Sequence, residues 1–64
     1  MIKVYYTKAT KHGYRYALVV DDENKLVQFT DCKHVPKNAD LVIEELLPHE
    51  LRSIARQLIR NDYQ

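Results

Sequence analysis

Only one stretch of this chain repeats with the period of a helix, and it comes last: Leu51, Ile54, Ala55, Leu58 and Ile59 recur at i, i+3, i+4, i+7 and i+8. Pro48 suits the first turn of that helix, and Glu50 complements the positive end of its dipole, which places it at about residues 48–62. The residues before it are strand-forming. A single helix covers a single face of a sheet, so the pattern predicts one α+β domain, an antiparallel sheet backed by a C-terminal helix.

Three runs read as strands from their β-branched and aromatic alternation: Ile2 to Thr7, Tyr14 to Val20, and Lys25 to Thr30. The joins carry turn chemistry. His12-Gly13 supplies positive φ between the first two strands, and Asp22-Glu23-Asn24 links the second to the third, so the three form an antiparallel meander. Further on, Val35-Pro36-Lys37-Asn38 reads as a loop. For Leu41 to Glu45 the alternatives are a helical turn and a short fourth edge strand near 41–45, and the branching of Val42 and Ile43 favours the strand.

With 64 residues the chain holds one domain, spanning 1–64, whose thin core makes a partner subunit a natural source of added stability. Its one cysteine, Cys32, rules out an intramolecular disulfide. No apolar run approaches a membrane span, and the segment from Met1 to Tyr6 lacks the layout of a secretory leader, so a cytoplasmic protein with no membrane role is expected. Net charge is +1, which gives no global pull toward nucleic acid, although the part through Lys37 is mildly basic and the remainder mildly acidic.

The register of the second hairpin decides what the sheet presents. A type I turn followed by Asn24 in the left-handed region pairs Asp21 with Lys25, Val19 with Val27 and Ala17 with Phe29. One face then carries Ile2, Val4, Tyr6, Ala17, Val19, Val27 and Phe29, and it is the better seat for the helix because it buries few hydrogen-bonding groups. The other carries Lys3, Tyr5, Thr7, Tyr14, Tyr16, Leu18, Val20, Leu26 and Gln28. Left open, it is a large apolar patch of the kind that marks a contact site, unless the 31–47 segment folds over it.

Candidate binding residues are therefore Lys3, Tyr5, Tyr14, Tyr16 and Leu18 on that face, with Arg52, Arg56 and Arg60, which form one row along the helix at i, i+4 and i+8. The arginines suit phosphates or an acidic partner, or else a solvated face whose cations complement the helix C-terminus. Cys32 and His34 are two apart, but the sequence has no four-ligand metal spacing, and no orienting group for a nucleophile is evident. No Gly-rich phosphate loop or nucleophile elbow occurs either. No enzyme activity, metal site or cofactor is expected. The chain reads as a non-enzymatic interaction module, a regulator, inhibitor or accessory subunit, that binds a protein partner or a second copy of itself through the tyrosine-rich face. The alternative is a small nucleic-acid-binding domain that stacks bases on the sheet aromatics and neutralises phosphates with its lysines and the arginine row.

Overall fold

In the computed structural model, which describes residues 1–13 and 15–64, the chain forms β1 (Ile2–Thr7), β2 (Tyr16–Asp21), β3 (Leu26–Asp31), a short 3-10 turn (Cys32–His34), β4 (Leu41–Leu46) and α1 (Pro48–Arg60). The strands lie in the order β3-β2-β1-β4. The first three are the expected antiparallel meander. β4 is the fourth, edge strand, and it runs parallel to β1. A parallel partner needs a crossover: the chain leaves the β3 edge through residues 32–40 and passes over one face to reach the opposite edge.

β1 and β2 pair in the expected faces, with Val4 opposite Val19 and Tyr5 opposite Leu18. β3 is slipped by one residue. Asp21 pairs with Leu26, Val20 with Val27 and Leu18 with Phe29, so the predicted pairs Asp21–Lys25, Val19–Val27 and Ala17–Phe29 are corrected. The cause lies in the turn. Asp21 Oδ1 accepts from the backbone N–H groups of Glu23 and Asn24 at 3.1 and 3.2 Å, and Asn24 Nδ2 donates to Asp21 Oδ2 at 2.9 Å. Those bonds hold Asn24 inside the turn, and the left-handed conformation falls on Lys25, φ 53°. One more turn residue sends every β3 side chain to the other face.

Val27 and Phe29 thereby join Leu18 and Val20, and that face becomes the helix seat. Leu18, Val20, Leu51 and Ala55 form the buried core, with Tyr5, Val27, Leu46, Ile54, Leu58 and Tyr63 packed around it. The expectation that the helix covers the Ile2, Val4 and Val19 face is thus reversed. That face lies under the crossover instead, where Pro36 lines a hollow together with Ile2 and Val19, and Val35 and Pro36 line another with Tyr6 and Val42. Beneath it Val4 and Ala17 are fully buried.

α1 begins one residue after β4 at the Thr7 end of the sheet and finishes beside the opposite corner, where Tyr63 reaches Asp22 and the Gln64 N–H donates to the Lys25 carbonyl. It therefore crosses the sheet diagonally. Glu50 Oε1 accepts from the Leu47 N–H at 2.8 Å, half of a capping box. At the other end Asp62 is left-handed, φ 69°, and the Tyr63 N–H returns to the Leu58 carbonyl in a Schellman closure. A diagonal helix leaves two opposite sheet corners bare. Phe29, on β3, is 50% exposed, and on β4 Leu41 and Ile43 are exposed as well.

Candidate functional site

The structure does not assemble the predicted site residues into one surface, because the helix stands between them. Leu18 is 0% exposed and belongs to the core. Tyr5 is half-buried against the same core. Tyr16 lies at the rim, 36% exposed. Lys3 is partly covered, its Nζ 3.0 Å from Asp22 Oδ2. Tyr14 falls outside the described residues. Arg52, Arg56 and Arg60 are exposed, away from the sheet, and carry no ion pair among the described residues.

Electrostatic order concentrates at the Lys3 corner. The Tyr63 phenol donates to Asp22 Oδ1 at 2.7 Å, and this bond, followed by Lys3, holds the Asp22 carboxyl below the ordinary carboxylate range. The same carboxylate raises Lys3 and Tyr63 above their usual values. These groups fasten the end of the helical unit to the β2–β3 turn and form no reactive cluster.

Cys32 is an exposed free thiol, and the His34 ring is engaged with Asp31, its Nδ1 2.8 Å from Asp31 Oδ1. That contact, ahead of the bond from the Lys33 N–H, keeps Asp31 below the ordinary carboxylate range. Cys32 and Lys33 border two open hollows of about 390 and 380 Å³. Arg15, on the wall of the first, is already committed to the Thr7 carbonyl at 3.2 Å, to Glu44 at 3.4 Å and to the face of Tyr6 at 4.8 Å. Among the described residues no three His, Cys, Asp or Glu side chains gather as metal ligands.

What remains chemically unsatisfied is the outer edge of β4. The Asp22 N–H donates to the Met1 carbonyl, which turns the odd residues of β1 toward β2. The even residues face β4, as the bond from the Lys8 N–H to the Leu46 carbonyl shows. In the parallel register of Lys3 with Leu41 and Tyr5 with Ile43, Leu41 and Ile43 bond inward, and Val42 and Glu44 turn their backbone groups outward. No strand of the described residues meets them. In its first half the side chains are apolar on both sides of the sheet, Leu41 and Ile43 on the helix face and Val42, 50% exposed, on the other; Glu44 and Glu45 follow.

β3, the opposite edge, is partly closed. The Val27 N–H donates to the Gln64 carbonyl at 2.8 Å and the Gln64 N–H to the Lys25 carbonyl at 2.9 Å. The sequence suggested the β4 strand and its edge position. It did not single out this edge as an uncovered apolar surface. The signal was the run Leu41-Val42-Ile43, more apolar than an exposed edge normally carries.

Compared with protein families, curated proteins and solved structures, the chain has no match. No helix among the described residues is long and apolar enough to cross a membrane.

Proposed function

We propose that the protein is a small, non-enzymatic interaction module that docks a protein partner by strand addition along β4. The observation that carries this reading is the outward-turned backbone of Val42 and Glu44 on an edge whose first half, Leu41 to Ile43, carries apolar side chains on both faces ahead of Glu44 and Glu45. An added strand would satisfy those groups, and the side chains beside them would give selectivity. A cytoplasmic setting suits a module with a single exposed thiol.

Val42→Pro tests the reading. The Val42 N–H points away from β1, so proline removes a docking donor without breaking a sheet bond, as edge strands allow. Tagged wild-type and variant proteins are recovered from native lysate with nuclease present, and the mass of each complex is measured. The expected result is a complex with the wild type and none with the folded variant. Identical recovery overturns β4 as the docking element.

A second reading, nucleic-acid binding, is favoured by the unpaired row of Arg52, Arg56 and Arg60. Its stacking component has lost ground, since Tyr5 packs against the core. A purely electrostatic contact predicts affinity that falls steeply with salt. Absence of binding to any single- or double-stranded oligonucleotide at low salt removes it.

A further inference from the structure

We infer that the strand added to β4 is β4 of a second copy, antiparallel and related by a two-fold axis through Val42; this rests on the docking reading above. The register follows from which groups point outward. With Val42 on the axis, the two Val42 residues exchange a pair of N–H···O=C bonds; Asp40, before the strand, has its own N–H turned inward to the Ile2 carbonyl.

The side chains fit the same register. Leu41 lies opposite Ile43 of the copy on the helix face, and Val42 opposite Val42 on the other. The bare corner beside the diagonal helix is thus filled by the identical corner of the second molecule. Moving the axis to Ile43 sets Val42 against Glu44 and Leu41 against Glu45, and moving it to Leu41 sets Val42 against Asp40. Both alternatives match apolar side chains with acids.

The favoured register brings Asp40 near Glu44 of the copy, a like-charge contact that costs stability unless the charges are compensated. Both are already engaged. The Asp40 carboxylate accepts from the Ile2 N–H at 2.8 Å, and Glu44 is bridged by Arg15. Of the acids on this edge only Glu45 carries no ion pair or hydrogen bond among the described residues, and the apolar match of Leu41 with Ile43 and of Val42 with Val42 argues for the self-complementary occupant. Four strands from each copy make one continuous sheet.

Register-specific cross-linking tests the proposal, with every variant built on Cys32→Ser and its helix content checked by circular dichroism. Across the axis the Cα atoms of a Val42→Cys pair lie about 5.5 Å apart, within disulfide reach. An Ile43→Cys pair sits on a diagonal of about 7–8 Å, at or beyond the limit. The expected result is that wild type sediments as a dimer, Val42→Pro as a monomer, and only Val42→Cys gives a covalent dimer under mild oxidation. Cross-linking of Ile43→Cys in place of Val42→Cys overturns the axis. A wild type that stays monomeric at every concentration, while Val42→Pro still abolishes capture of another protein, overturns self-pairing and leaves the docking reading standing. If Val42→Pro changes neither property, both are overturned.

Discussion

The phenol of Tyr63 and the carboxylate of Asp22 are joined by a 2.7 Å hydrogen bond across 41 positions of sequence, and Lys3 closes on the same carboxylate from β1. This contact holds the end of the helical unit to the β2–β3 turn. Tyr63→Phe keeps the ring and removes the donor. The expected outcome is a lower melting temperature with unchanged far-ultraviolet circular dichroism, and a smaller loss than a core truncation causes.

Acid should loosen the same corner. Asp22 is lowered by Tyr63 and Lys3, Asp21 by its bonds from Asn24, and Asp31 by His34. A carboxylate with a depressed folded value contributes stability that is complete above its unfolded value, near pH 4, and is lost as pH falls through the folded one. Tyr63, being raised, contributes stability that is lost as pH climbs through its folded value, above about pH 10. Thermal melts between pH 6 and pH 2 should slope downward toward acid, and Asp22→Asn should flatten part of that slope.

Leu51 and Ile59 share the helical apolar stripe, but the sheet receives only one of them. Leu51 is 0% exposed and Ile59 58%. Leu51→Ala should cost about 2–5 kcal/mol, enough to unfold much of so small a domain. Ile59→Ala should stay within about 0.5 kcal/mol. Urea titrations of both variants check the difference.

The tyrosines divide in the same way. Tyr5→Ala opens the packing around Leu18 and Leu51 and should destabilise strongly, whereas Tyr16→Ala at the rim should leave the fold intact. Two-dimensional amide spectra of the two variants distinguish these outcomes. A folded, well-dispersed Tyr5→Ala would contradict the helix position.

Two left-handed positions make opposite predictions. Gly13 has φ 81° with open space where a Cβ would stand, so Gly13→Ala suffers backbone strain alone, about 1–2 kcal/mol. Asp62, at φ 69°, occupies the position just past the helix C-cap Asn61 that glycine prefers, and Asp62→Gly should gain up to about 1 kcal/mol. Chemical denaturation reads both.

Much of the fold was legible because local pattern dictates it. The alternation of β1 and β2 and the Leu51 to Leu58 stripe determine their elements whatever surrounds them. The β3 register was not legible, since it depends on whether Asn24 takes the left-handed position or bonds Asp21 through its side chain, and both suit asparagine. That single residue of slip redistributed Val27 and Phe29 and with them the seat of the helix. The arginine row was legible as a row because helical spacing alone defines it. The parallel pairing of β4 with β1 was not, because a crossover brings together residues almost forty positions apart and leaves no local mark.

The closure of β3 by Gln64 also bears on how large an assembly can grow. Were both sheet edges open and alike in reach, each molecule could accept one neighbour on either side, and the natural product would be a fibre. Here the Lys25 carbonyl and the Val27 N–H are occupied by the chain itself. Extension on that side is blunted at the Val27 end of β3, and under the proposed pairing at Val42 the second molecule would take the other edge, which favours a closed pair over a fibre.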